Sequence, residues 1–227
     1  MMKRGAIIVF EGIDRCGKST QVQLLHDVLQ KSRSVELMRF PNRQTPIGQK
    51  INSYLTDKAV QLDDHVIHLL FSANRWEARN QMLETIQSGK SIIVDRYAYS
   101  GVSFSAAKGL DLDWCKDPDR GLPAPDVVIY LQLSIEEAQK RGNYGEERYE
   151  TVEFQRKVKD LYENKMKDPS WKVVNASQKP EDLHNDIRSI VESVIQDVEH
   201  TPLNTLTIEW FRLNRAGMGY GLRSAQT

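Results

Sequence analysis

Phe10-Glu11-Gly12-Ile13-Asp14-Arg15-Cys16-Gly17-Lys18-Ser19-Thr20 is the stretch from which the rest of the chain can be read. Gly12, Gly17, Lys18 and Ser19 fit the phosphate-loop pattern G-x-x-x-x-G-K-[ST]. Ala6 to Phe10 is an apolar run long enough for one buried strand, and Val22, Leu24, Leu25, Val28 and Leu29 then recur at helical spacing. The two glycines let the backbone turn sharply and approach a ligand, and successive N–H groups at a helix N-terminus point at an anion. Lys18 brings a point charge to β- and γ-phosphates, and the Ser19 hydroxyl is a ligand for Mg²⁺. The stretch predicts a nucleoside-triphosphate site between a strand and a helix.

Working outward, 227 residues suit one domain with a substantial core. Lys plus Arg number 31 and Asp plus Glu also 31, so no bulk charge favours nucleic acid or an acidic membrane. Any phosphate site must rest on locally placed cations. Cys16 and Cys115 make no disulfide framework, which points to a reducing, cytoplasmic setting. Lys3-Arg4 before Ala6–Phe10 resembles the start of a signal peptide, but Glu11 ends the apolar run too early. No run approaches the roughly 20 apolar residues of a membrane span. The histidines at 26, 65, 68, 184 and 200 show no zinc-ligand spacing.

Glu36 to Phe40 reads as a short strand followed by Pro41-Asn42-Arg43, where a cis Phe40–Pro41 bond would direct Arg43 and a trans turn would leave it solvated. Ile47–Leu55 and a longer segment from Asp63-Asp64 to Met82 or beyond look helical. On the second, Phe71 and Arg75 share a face four apart, an arrangement suited to a flat ligand stacked and hydrogen-bonded. Ser91–Val94 is a strand with Asp95-Arg96 at its carboxyl end, where ligands bind in open α/β sheets. There the pair suits a metal–phosphate complex, or a structural salt bridge. Ser100 and Phe104 share a helix face, and Asp126–Leu131 is a strongly apolar strand. Residues 141–150, with two glycines among charges including Arg141 and Arg148, read as a lid or as a solvated loop. Phe154–Met166 is helical, Lys172–Val174 is a last strand ending in Asn175-Ala176-Ser177, and Pro180–Val198 is an amphipathic helix. Strands alternating with helices argue for an α/β fold with a central parallel sheet covered by helices on both faces. The domain is expected over 1–206, with 207–227 a disordered basic and glycine-rich tail; a nucleic-acid contact by that tail is the weaker reading.

A phosphate loop permits a GTPase switch, an ATP-driven machine or a small-molecule kinase. The nearest stretch to a guanine-reading N-K-x-D is Asn164-Lys165-Met166-Lys167, which lacks the Asp. A short α/β core, a second pocket with cations and a lid that excludes water favour the kinase. A nucleotide-dependent binding module without turnover is the alternative of another class.

The chain resembles the eukaryotic-type thymidylate kinases over about Arg4 to Leu206. Besides the phosphate loop, the segments that carry the resemblance are Arg39–Arg43, Leu70–Glu77, Asp95–Val102, Leu112–Lys116, Gly121-Leu122-Pro123 with Pro125-Asp126, and Glu147-Arg148-Tyr149-Glu150. The resemblance implies transfer of the ATP γ-phosphoryl to dTMP with Mg²⁺, in a homodimer, with dUMP as a further acceptor. Another nucleoside or nucleoside-monophosphate kinase is the near alternative. It further implies that Gly12, Arg15, Cys16, Gly17, Lys18, Ser19 and Thr20 hold ATP, with Arg141, Asn175, Ala176 and Ser177 near adenine. Arg15, Lys18, Asp95 and Arg96 would be catalytic, with Mg²⁺ at Ser19 and Asp95. Asp14 would meet the sugar 3′-hydroxyl, Arg43 and Arg96 the acceptor phosphate, Phe71 and Arg75 the base, and Phe40, Ser100, Phe104 and Tyr149 would complete that pocket. Asn42 stands where the family often has an acid, and the chain continues past the family's usual end near Leu206.

Overall fold

The computed structural model describes residues 3–141, 145–166 and 171–207. Among them five strands, β1 (Ile7–Glu11), β2 (Val35–Arg39), β3 (Ser91–Asp95), β4 (Val127–Gln132) and β5 (Trp171–Asn175), form one parallel sheet in the order β2-β3-β1-β4-β5. The expected α/β class holds. Every residue of β1 and β3 is buried, which is why both read as unbroken apolar runs rather than alternating ones.

Helices cover both faces. Along β1, Ile8 and Phe10 face one core with α1 (Lys18–Leu29) and α8 (Pro180–Val198), through Leu25, Ile187 and Val191. Ile7 and Val9 face the other, with Met82 of α3 (Asp64–Gln87) and Val102 of α4 (Ala98–Ala106). A third, smaller cluster joins α2 (Pro46–Thr56) to α3 around Ile51, Tyr54 and Ile67. The helix starts have local causes. Thr45 accepts from Gly48 N ahead of Pro46, and Asp63 accepts from His65 N and Val66 N.

Two elements depart from the sequence pattern. The helix expected over Phe154–Met166 is α7 (Val152–Asp160), following α6 (Ile135–Gln139), and then widens into a π-helical turn, Leu161–Lys165. That turn carries the buried Tyr162, whose hydroxyl donates to Glu11 Oε2 at 2.8 Å. Between α4 and β4 lie α5 (Leu112–Lys116) and a 3₁₀ turn, Asp117–Asp119, both too short to show a periodicity. Near the end of the described chain Leu206 is buried, exchanging backbone hydrogen bonds with Gly121 and Leu122. The tail expected to be disordered lies outside the described residues beyond Thr207, and so do 142–144 of the expected lid.

Candidate active site

The site opens beyond the carboxyl ends of β1 and β3, where Phe10 and Asp95 are in register. Gly12 and Gly17 have φ of 144° and 101°. A Cβ on Gly12 would stand 2.8 Å from both Cys16 Sγ and the Leu131 carbonyl oxygen, so this turn admits only glycine. Gly17 is the N-cap of α1 and has no side chain to occupy the first N–H groups, as an anion cradle requires. Lys18 is buried along the loop, and its Nζ donates to the carbonyls of Gly12 at 3.1 Å and Ile13 at 2.6 Å.

Ser19 Oγ donates to Asp95 Oδ2 at 2.7 Å, and Arg39 reaches the same oxygen through Nε at 3.1 Å and Nη2 at 3.0 Å. One hydroxyl and one carboxylate at the mouth of a phosphate loop are hard oxygen donors. They fit Mg²⁺, which takes one or two protein ligands and completes its shell with waters and phosphate oxygens.

Asp95 and Arg96 do not pair with each other. Arg96 turns to Asp14, pairing through Nη2 with Oδ1, while Nη1 donates to the Gly12 carbonyl at 3.2 Å and Ser100 Oγ at 3.1 Å. Its guanidinium carbon lies 5.2 Å over the Phe104 ring. Burial works against this charge, but the carboxylates led by Asp14 outweigh it and hold the Arg96 pKa above its ordinary value. Asp14 is clamped from behind by Gln155 of α7: its N–H donates to Oε1 at 2.9 Å, and Gln155 Nε2 donates to Oδ2 at 2.6 Å. Among the described residues Arg15 and Arg96 are the two non-glycines in the left-handed region, with φ of 61° and 67°. Such backbones cost on the order of 1–3 kcal/mol each and persist where surrounding contacts over-determine them.

Of the arginines that face the cleft, Arg15 and Arg43 carry carboxylate partners and Arg141 carries backbone carbonyls. Arg15 Nε donates to Glu150 Oε1 at 2.9 Å, and this hydrogen bond is the main reason its pKa is raised. Arg43 donates to Asn52 Oδ1 at 2.8 Å and Glu147 Oε1 at 2.7 Å. Arg141 joins the Arg15 and Ala176 carbonyls, each at 3.0 Å. Arg148, the other arginine that favoured a lid, does something else. It donates to the carbonyls of Tyr54, Asp57 and Val60, stacks 4.2 Å over Tyr54, and so seals the end of α2.

A continuous cleft of about 1130 Å³ runs from Lys18, Ser19 and Thr20 past Arg15 and Arg96 to Arg43. It meets a second cavity at Asp14, Arg43 and Arg96, and this one is walled by Phe71, Arg75, Ser100, Gly101, Phe104 and Tyr149. Arg75 is 2 % exposed and bidentate to the fully buried Asp119, with Nε–Oδ1 at 3.0 Å and Nη2–Oδ2 at 2.7 Å. The Phe40–Pro41 peptide is cis, with both residues lining the two cavities.

With that geometry in view, comparison with known proteins is direct. A family model described as thymidylate kinase matches residues 10–187. The chain belongs to the thymidylate kinase family. A thymidylate kinase of Dictyostelium discoideum is 50 % identical over 208 residues, covering 91 % of this chain and 93 % of that one. The Arabidopsis thaliana relative is 54 % identical over 89 % of this chain and 77 % of its own, and the human one 48 % identical over 90 % and 98 %. The structure of thymidylate kinase from Candida albicans superposes with a TM-score of 0.84 at 36 % identity, covering 91 % of this chain and all of that one.

Every residue expected for the acceptor lines one or both cavities. On the donor side Gly17, Lys18, Ser19, Thr20 and Arg141 line the cleft, and Cys16 packs beneath the loop against Gly12. Ala176 is tied to Arg141, and Ser177 N donates to Asn175 Oδ1 at 3.0 Å. Residue patterns missed Glu11, Asp119, Glu150 and Gln155. Glu11 is fully buried and accepts from Tyr97 N, Ser100 N, Ser100 Oγ and Tyr162 Oη. All four hold another site residue in place, a task for which sequence spacing carries no signal.

Proposed function

We propose that this chain transfers the γ-phosphoryl group of ATP to dTMP, giving dTDP, with dUMP as a further acceptor. Membership of the family and the near-complete coverage of relatives named thymidylate kinase support the reaction. The observation that carries it is the meeting of two cavities at Asp14, Arg43 and Arg96, one lined by the phosphate loop and the other walled by Phe71, Arg75 and Phe104.

The acceptor phosphate is itself a nucleophile, so the residues need only position two phosphates and neutralise charge between them. In this reading Lys18 and the first-turn N–H groups of α1 hold the β- and γ-phosphates, with Arg15 on the phosphoryl in flight. Arg43 and Arg96 fix the acceptor phosphate, and Asp14 receives the 3′-hydroxyl. Phe71 stacks on the base, Arg75 donates to it, and Ser100, Phe104, Tyr149 and Phe40 close the pocket. Arg141 with Asn175, Ala176 and Ser177 borders adenine. Ser19 and Asp95 would hold Mg²⁺, which supplies charge neutralisation at the phosphates when bound. Loss of one transition-state cation is worth on the order of 3–4 kcal/mol, or 10²–10³ in rate.

The catalytic unit is residues 1–206 in this reading, with 141–150 as lid and 207–227 as a dispensable tail. A homodimer is supported by Val66 and Leu69, each 46 % exposed, and Trp76, 39 % exposed, which share one stripe of α3. A reducing, cytoplasmic setting is supported by the two buried free thiols of Cys16 and Cys115. No helix among the described residues is long and apolar enough to cross a membrane. A coupled ADP-release assay across dTMP, dUMP, dCMP, UMP, AMP and thymidine tests the reaction. Turnover highest with dTMP is expected. A better acceptor elsewhere in the panel would transfer the reading to another kinase, and nucleotide binding without turnover would make it a binding module.

A further inference from the structure

Glu150 stands at the end of the lid segment, and the reaction as proposed gives it no task. Its carboxylate is 8 % exposed and serves two groups of donors. Arg15 donates from Nε to Oε1 at 2.9 Å and from Nη2 to Oε2 at 3.4 Å. Oε2 also accepts the backbone N–H groups of Gly145 at 2.9 Å, Glu146 at 3.0 Å and Glu147 at 3.4 Å. These three N–H groups belong to one turn, entered through Gly145 at φ 99°. The same turn presents Glu147 to Arg43 at 2.7 Å and Glu146 to Arg15 at 3.9 Å. Burial pushes the Glu150 carboxyl up, but the Arg15 and turn hydrogen bonds outweigh it, so the group lies below the usual carboxylate range and is ionised at neutral pH. An ionised acceptor for a guanidinium and several N–H groups makes strong, directional bonds, unlike an ordinary surface ion pair.

We propose that Glu150 is a positioning residue whose carboxylate fastens the 145–147 turn to Arg15, so that the placement of this turn and the aim of the guanidinium are set together. The inference rests on the reading of Arg15 as a cation of phosphoryl transfer. The Arg15 backbone is already held at φ 61°, which limits the directions its side chain can take, and Glu150 selects among them.

The test is a double-mutant cycle on the full-length enzyme with Arg15→Ala and Glu150→Gln, read as kcat and the ATP KM. Glu150→Gln keeps the shape and removes the charge. Alone it is expected to lower kcat roughly 10- to 100-fold, the loss from a misaligned group near the chemistry, with the ATP KM unchanged. In the Arg15→Ala background it should cost nothing further, because its effect passes through Arg15. Hydrogen exchange should show faster opening of the 145–147 amides in Glu150→Gln. Should that variant melt early, Glu150→Asp replaces it in the same cycle. Additive losses, or a silent Glu150→Gln beside an impaired Arg15→Ala, would overturn the proposal and leave the role of Arg15 standing. A silent Arg15→Ala would overturn the role of Arg15 and this proposal together.

Discussion

The Arg75 guanidinium packs directly against Gly101: a Cβ at position 101 would stand 2.6 Å from Nη2 and 2.9 Å from Nη1. Two helices, α3 and α4, are thereby keyed together in the wall of the second cavity, the proposed acceptor pocket. The guanidinium has nowhere to retreat, because Asp119 grips it from the other side and Ser72 Oγ donates to Asp119 at 2.8 Å.

Gly101→Ala should therefore damage acceptor recognition before anything else. The added methyl forces Arg75 off Asp119 or moves α4, an overpacking that costs about 1–3 kcal/mol of stability. A dTMP KM raised about tenfold or more, for roughly 1.4 kcal/mol or more of lost binding, is expected with the ATP KM unaltered. Steady-state kinetics with both substrates checks this, and an unchanged dTMP KM would remove Arg75 from base recognition.

Asp119→Ala addresses the same pair from its buried side. It would leave the guanidinium of Arg75, 2 % exposed, without its partner, at a cost of about 3–5 kcal/mol. The double variant Arg75→Met/Asp119→Leu should recover much of that stability and none of the acceptor affinity. Chemical denaturation alongside dTMP kinetics separates the two effects.

Ser19→Ala removes one of the two oxygen donors offered to Mg²⁺ and leaves Asp95 paired with Arg39. The Mg²⁺ concentration for half-maximal turnover should rise about 10- to 100-fold, as for loss of a group that supports a metal site. Thermal-shift titration of the ATP-bound protein with Mg²⁺ provides a second readout independent of rate.

Acid should destabilise the fold through His68. Burial is the main cause holding its pKa down, from 6.5 to about 4, and the charges of Arg75 and Lys108 add to it while Asp119 opposes. Trp114 also borders the ring at a centroid distance of 5.2 Å, and Nδ1 lies 2.8 Å from Ser105 Oγ. A lowered folded-state pKa means that between these values the unfolded chain binds the proton and the folded one does not. Stability is thus intact above pH 6.5 and falls as pH drops towards 4, by on the order of 3 kcal/mol from this group. Urea melts at pH 7 and pH 4.5 should show the loss, and His68→Gln should shrink the difference between them.

Removing residues 211–227 should leave turnover and melting temperature unchanged, since Leu206 already closes against Gly121 and Leu122. Parallel assays of the full and shortened chains decide this, and reduced turnover would give the tail a role in the reaction.

By itself the sequence determined the layer order and the place of the site. Phe10 through Thr20 carries its loop geometry in its own glycines, and the buried strands announce themselves because burial on both faces demands continuous apolar residues. What only the tertiary structure decided is which polar groups meet. Arg15 and Glu150 are 135 positions apart, Glu11 and Tyr162 are 151 apart, and Asp14 finds Gln155 across 141. Hydrophobic periodicity records which face of an element is buried, but not which charge waits opposite it. The left-handed backbones of Arg15 and Arg96 are of the same kind. No local propensity favours them, and they exist because contacts from distant segments outweigh their cost.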